Sequence, residues 1–317
     1  MTRRRLRIVF VGALIGGHKN LRALLDGGYN VVGVYTWSDA KSGASCWQSF
    51  DDLPGRYGIP VRKVESINAP EVVEEIRALA PDVVVVMSWS GMIGKELLAV
   101  PPLGVIGMHP TLLPEHRGRA PIPWALIHGL SKTGVTIFYY VEAADAGDIL
   151  VQEEIPIAFD DTALTLGQKV DDACVRSLLK ALDGLETGTV TPIPQDHARA
   201  SWWPRRRPED GIVEWTKPAR ELYNWVRALT APYPGAFTFR HGRKIFLWAA
   251  RIAEDARAGE PGEVLGVAGD ALLVATGDGC LAVTRMQAAG EAETTGAAFA
   301  DAHAVPVGER FVGAPAC

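Results

Sequence analysis

Residues 82–87 read Asp-Val-Val-Val-Val-Met, an apolar, β-branched run with no polar alternation. A strand with one face in water would alternate. An unbroken run of this length belongs to a parallel sheet covered by helices on both faces. Such a sheet requires crossover connections, and the flanking sequence supplies them. Further buried strands are expected over 7–12, 31–36, 60–64 and 104–108. Helical spacing falls between them, at 20–26 (Leu21, Leu24, Leu25), at 69–80 (Val72, Val73, Ile76, Leu79) and at 94–100. Strand and helix in alternation predict an α/β domain built on a doubly wound, mostly parallel sheet. Ligands of such sheets bind beyond the carboxyl ends of the strands. The carboxyl end of the 104–108 strand leads directly into His109.

Two more strands are expected at 133–140 and 149–155, then a long helix over 164–182 with Gly184 as its stop. Residues 201–207, with Trp202, Trp203 and three arginines, read as a connector, and 217–229 as a helix. After Pro232-Tyr-Pro-Gly235 the character changes to short strands at 236–239, 244–249, 262–267, 271–275 and 280–286. That spacing predicts a small, OB-like β-barrel. The 317 residues therefore divide into an expected catalytic domain at 1–190, a linker at 191–210 and a C-terminal domain at 211–317.

A net charge of −5 argues against a protein whose main task is to grip a phosphate backbone. Cys46, Cys174, Cys280 and Cys317 are far apart, which predicts neither a metal site nor a disulfide framework and fits a reducing, cytoplasmic setting. The apolar run at 8–15 follows Arg3, Arg4 and Arg5 and is broken by Gly16-Gly17-His18-Lys19. It is too short to span a bilayer and reads as the first buried strand, with no membrane association expected. Residues 12–17 do not spell a dinucleotide fingerprint, and His18 is a lesser site candidate.

The chemistry-bearing stretch is Gly107-Met-His109-Pro-Thr-Leu-Leu-Pro114-Glu-His-Arg117-Gly118-Arg119-Ala-Pro121, with Asp145-Ala-Gly-Asp148 downstream. It resembles the family of formyltransferases that draw a formyl group from 10-formyltetrahydrofolate. The resemblance continues through Arg205-Arg206-Arg207-Pro-Glu-Asp-Gly-Ile-Val-Glu-Trp215 and the 223–237 stretch, which look like the linker and C-terminal domain of the family's longer members. It implies His109 and Asp145 as catalytic residues. It also implies a donor site formed by Gly91, Met92, Ile93, Arg119, Val141, Glu142, Ala143 and Ala144.

Chemistry asks for the same residue types. Formyl transfer to an amine passes through a tetrahedral intermediate. It needs a base for the attacking nitrogen, a donor for the developing oxyanion and an acid for the leaving nitrogen. A histidine and an aspartate at strand ends can share these tasks, the carboxylate orienting the ring and raising its proton affinity. Arg117 and Arg119 offer fixed cations for carboxylate or phosphate. Asp148 reads as a turn or cap residue, and His116 and His128 as surface or packing residues.

The resembled family carries an Asn two positions before the catalytic His, where this chain has Gly107. Either a water or another donor takes the place of the amide, or the reaction differs, or binding has outlived catalysis. The acceptor implied first is a primary amine on a nucleotide-linked sugar or another small molecule. The reason is that Arg117-Gly-Arg-Ala-Pro121 looks more like the enzyme acting on a 4-amino-arabinose nucleotide. Initiator methionyl-tRNA ranks below it, because the 37–52 loop has one lysine, Lys41, against Asp39, Asp51 and Asp52. A 10-formyltetrahydrofolate hydrolase and a non-catalytic folate- or nucleotide-binding protein are the remaining readings. The sequence leaves oligomeric state open.

Overall fold

A computed structural model describes residues 6–41, 43, 46–254 and 259–313. Arg3, Arg4, Arg5 and Cys317 lie outside the described residues. The chain divides into two compact units, Met1–Pro121 with Lys132–Pro156 and Gln168–Pro204, and Ile122–Ser131 with Ile157–Gly167 and Arg205–Cys317.

In chain order the elements are β1 (Ile8–Gly12), α1 (Leu14–Asp26), β2 (Val31–Trp37), α2 (Leu53–Tyr57), β3 (Val61–Val64), α3 (Pro70–Ala78), β4 (Val83–Met87), α4 (Lys95–Leu98) and β5 (Val105–His109). Next come β6 (Arg117–Gly118), α5 (Pro121–Ile127), β7 (Lys132–Tyr139), β8 (Ile149–Pro156), α6 (Ala163–Thr187) and β9 (Trp202–Trp203). The C-terminal part holds α7 (Ala219–Leu229), β10 (Ala236–Arg240), β11 (Arg243–Ile252), β12 (Val264–Ala268), β13 (Ala271–Ala275), β14 (Cys280–Ala288), β15 (Thr294–Thr295) and α8 (Gly296–Ala302).

The first unit is built on a seven-stranded sheet in the order β3-β2-β1-β4-β5-β7-β8. The first five strands pair in parallel, and β7 and β8 pair antiparallel at the far edge. The α/β, mostly parallel architecture is the expected one. Every residue of β1 and β4 is buried, as the unbroken apolar runs require. On one face Ile76 of α3 and Leu97 of α4 complete the core with Val9, Val84 and Val86.

Three local expectations are corrected. The helix after β1 begins at Leu14, not at residue 20, and takes Gly16 and Gly17 into its first turns. A Cβ at Gly17 would stand 3.1 Å from the Met87 carbonyl, so glycine there lets α1 lie close over the sheet. Gly184 does not stop the long helix, which continues to Thr187. The supposed connector at 201–207 contributes β9, which pairs in parallel with β6 of the motif loop.

The second unit is an antiparallel sheet in the order β10-β11-β14-β13-β12, with β15 on β14 and α7 lying against β11. Its two outer edges meet through the last described residues. Val312 bridges Phe239 of β10, and Arg310 bridges Glu263 just before β12, so the sheet curls into a small barrel. Buried Arg227 of α7 is satisfied within the unit by Asn224 Oδ1 and the carbonyls of Ala158 and Asp161.

Asp171 of α6 faces Gly16, whose absent side chain leaves room for the carboxylate. Burial raises its pKa to about 6, against the opposing pull of Lys19. A carboxyl with a raised folded pKa binds its proton more tightly in the folded state. Its contribution is present at low pH and is lost as pH rises through about 4 to 6. Asp171→Asn should flatten that slope and raise stability at pH 7 by on the order of 3 kcal/mol. Chemical denaturation of both proteins at several pH values checks this.

Candidate functional site

The carboxyl end of β5 delivers His109, which is 6% exposed. The loop that follows is pinned to the sheet from below. Thr136 of β7 donates its hydroxyl to the Thr111 carbonyl at 2.7 Å and accepts from the Leu113 amide at 3.2 Å. Gln152 of β8 donates to the Leu113 carbonyl at 2.9 Å. The Leu113–Pro114 bond is cis. Gly134 of β7 makes room, because a Cβ there would stand 2.3 Å from Leu112 Cδ2.

The same loop returns to hold the histidine ring. His109 Nε2 lies 2.9 Å from the His116 carbonyl oxygen. A carbonyl only accepts, so Nε2 carries the proton and Nδ1 is the free nitrogen. Nδ1 lies 3.8 Å from Asp145 Oδ2, beyond a hydrogen bond but close enough to stabilise a proton taken up at Nδ1. The ring is thus oriented by the main chain of His116 rather than by Asp145. His116, read from sequence as surface or packing, serves through its backbone. Its φ of +62° turns the carbonyl inward, and its ring stacks on Trp203 at 4.0 Å.

Asp145 sits at a left-handed φ of +52° in the loop between β7 and β8. Its Oδ2 accepts the Gly118 amide at 2.9 Å. Gln195 donates its amide to the carbonyls of Asp145, at 2.9 Å, and of Gly147, at 2.7 Å. Buried Arg117 donates to Gln195 Oε1 and lies 3.1 Å from His197 Nδ1. Burial pulls the Arg117 pKa below its usual value, and Asp145 opposes that. Two glycines are required by close approach. A Cβ at Gly118 would stand 2.4 Å from the Trp203 carbonyl oxygen, and one at Gly147 would stand 1.8 Å from that of Tyr139.

A cleft of about 370 Å³ opens over these residues. His109 and Asp145 line it with Gly91, Met92, Ile93, Arg119, Val141, Ala143 and Ala144. Glu142, expected with them, is exposed and outside the lining, and Gly107 is not among the lining residues. His18 is elsewhere, 2.9 Å from Asp52. Sequence reasoning missed Tyr140, Trp202, Trp203 and Gln195. The two tryptophans stood in a segment read as linker, and Gln195 had no motif around it.

The space beside Gly107 is occupied. A Cβ built there would lie 2.2 Å from Tyr140 Cε1 and 2.7 Å from its hydroxyl oxygen. Glycine leaves room for a phenol, not for a water. Burial, then the nearby Asp145 carboxylate, pushes the Tyr140 pKa well above its usual value, so the phenol keeps its proton.

An imidazole with one nitrogen outside any hydrogen bond, a neighbouring carboxylate and a protonated phenol, all lining one cleft, can serve general acid–base, group-transfer chemistry. Residues 6–182 match the formyl transferase family and 206–304 the formyl transferase C-terminal domain. The chain belongs to the formyl transferase family. Solved structures share the fold. HypX from Aquifex aeolicus in complex with tetrahydrofolic acid is 22% identical over 96% of this chain, with a TM-score of 0.67. This chain spans about half the length of that protein, 48%. WlaRD, a sugar 3N-formyltransferase solved in the presence of dTDP and 5-N-formyl-tetrahydrofolate, is 15% identical over 91% of this chain and 100% of its own, with a TM-score of 0.68. Methionyl-tRNA formyltransferase from Clostridium thermocellum is 16% identical over 78% of this chain and 94% of its own, with a TM-score of 0.55.

Gln195→Leu would take from buried Arg117 its oxygen acceptor, leaving it only His197, and from two loop carbonyls their donor. Loss of a buried, charge-assisted contact of this kind should destabilise the protein by about 2–4 kcal/mol, read as a lower denaturation midpoint.

Proposed function

We propose that this chain transfers a formyl group from 10-formyltetrahydrofolate to a primary amine carried by a nucleotide-linked sugar or a similar small molecule. The observation that carries the reading is the free Nδ1 of His109 facing Asp145 at 3.8 Å, in a cleft lined by both. In this reading His109 accepts the proton of the attacking amine at Nδ1, and Asp145 stabilises the resulting imidazolium. His109 then returns the proton to the leaving folate nitrogen. The donor's pterin end fits against the loop after β4, at Gly91, Met92 and Ile93, and against Val141, Ala143 and Ala144, where Gly91 and the two alanines leave main-chain groups open to a ligand. We place catalysis in residues 1–190, joined by 191–210 to a C-terminal domain at 211–317 with no second reaction centre.

The cleft volume suits a small acceptor. Exposed Arg119 and Trp202, which is 56% exposed, line its rim and offer a cation and an aromatic face for a nucleotide. A tRNA acceptor is disfavoured by the 37–52 segment. Lys63 beside it is neutralised by Asp39 and Asp51, and Lys41 lies over the Trp37 ring at 4.9 Å. No helix among the described residues is long and apolar enough to cross a membrane.

The test is a turnover screen with 10-formyltetrahydrofolate and, in parallel, amino-sugar nucleotides, initiator methionyl-tRNA and no acceptor. Turnover should require an amino-sugar nucleotide or related amine. Equal turnover without any amine would make the protein a hydrolase. Turnover confined to the tRNA would overturn the acceptor assignment. His109→Ala and Asp145→Ala should each lower kcat by about 10²-fold or more while the denaturation midpoint changes little.

A further inference from the structure

We propose that the Tyr140 hydroxyl is the catalytic hydrogen-bond donor to the formyl oxygen, occupying the volume that a side chain at position 107 would fill. The inference rests on the formyl-transfer reading above.

Geometry carries it. Gly107 lies on β5 two residues before His109, and Tyr140 directly follows β7, its amide donating to the Val105 carbonyl at 2.8 Å. The backbones of the two strands therefore fix the phenol over the glycine. Cε1, Cζ and the hydroxyl oxygen of Tyr140 lie 2.2, 2.5 and 2.7 Å from the Cβ position of residue 107. No L side chain at 107 can share that volume with the phenol. The ring is held by Phe138, with centroids 5.1 Å apart, and by the apolar core that includes Val86 and Val105. Tyr140, His109 and Asp145 all line the same cleft.

Chemistry singles out the same group. The reaction needs a donor that keeps its proton, is held in place and opens on the same cleft as the base. His109 Nε2 is committed to the His116 carbonyl. Ser90 and Arg119 are exposed, and the Trp89 indole nitrogen is turned toward Gly91. Burial raises the phenol's pKa, which favours the protonated, donating form. A fixed neutral O–H dipole needs little reorganisation as charge develops, which is the property of an oxyanion donor.

The amine lone pair forms the new C–N bond, and the carbonyl π pair moves to the formyl oxygen, which accepts the Tyr140 O–H. The amine proton passes to His109 Nδ1. The oxyanion pair then re-forms C=O as the bond to folate nitrogen breaks, and that nitrogen takes the bond pair and the proton. The products are a formamide and tetrahydrofolate, and Tyr140 ends as it began.

Tyr140→Phe keeps the ring and removes the oxygen. It should lower kcat by about 10²–10³-fold with the KM for the formyl donor changed only a few-fold. An equilibrium readout needs no acceptor. Wild type should bind 10-formylfolate more tightly than folate, and the Phe variant should lose most of that margin. Gly107→Asn alone should depress activity, because the phenol must be displaced. Gly107→Asn combined with Tyr140→Ala should recover roughly tenfold over Tyr140→Ala alone. A Phe variant with wild-type kcat and an unchanged binding margin overturns the Tyr140 assignment and leaves the formyl-transfer reading standing. A wild type that neither turns over 10-formyltetrahydrofolate nor binds 10-formylfolate overturns both.

Discussion

The contact between His109 Nε2 and the His116 carbonyl decides what the site can do, because it fixes which imidazole nitrogen is free. Much of the first unit converges on that contact. The left-handed turn at His116 aims the carbonyl, and the stack on Trp203 holds the residue that carries it. The β6–β9 pairing brings Trp203 there, and it tolerates no Cβ at Gly118. The Gly118 amide then positions Asp145, and Gln195 ties the Asp145 loop to buried Arg117. Asp145 and buried Arg117 are thus joined through Gln195, with the His109 ring beside the carboxylate, while the Arg117 Nε is left without a partner.

The sheet was readable from the chain because its strands are buried on both faces and declare themselves as unbroken apolar runs. Val83–Met87 and Ile8–Gly12 fall within one residue of the expected bounds. The errors have local causes. Gly16 and Gly17 look like a loop by propensity, but close packing over Met87 makes glycine the residue that a helix needs there. Gly184 looks like a stop, yet it sits within α6 where a Cβ would stand 2.8 Å from Val190 Cβ. Two residues, Trp202 and Trp203, make too short a strand for periodicity to register.

The site was legible to the extent that a motif carried it. His109, Asp145 and seven of the eight expected donor-site residues line one cleft, while Glu142 is exposed and outside the lining. Tyr140 was invisible because its importance is relational. A tyrosine after a strand has no signature of its own, and only the distance from a Cβ at Gly107 shows that the two positions are complementary. Gly107 signalled that something was missing, and a pair of positions 33 residues apart supplies it. Gln195 likewise stands in a polar stretch with nothing to mark it, and acquires meaning only where the chain returns to the Asp145 loop.

Everything at this site turns on where a formyl group lies, which a crystal structure of the protein with bound 10-formylfolate would show directly. The formyl oxygen should stand within hydrogen-bond distance of the Tyr140 hydroxyl, the formyl carbon open toward His109 Nδ1, and the pterin against Gly91 and Ile93. A ligand bound with its formyl group more than about 10 Å from Tyr140 and Asp145, well outside hydrogen-bond reach, would rule out both roles.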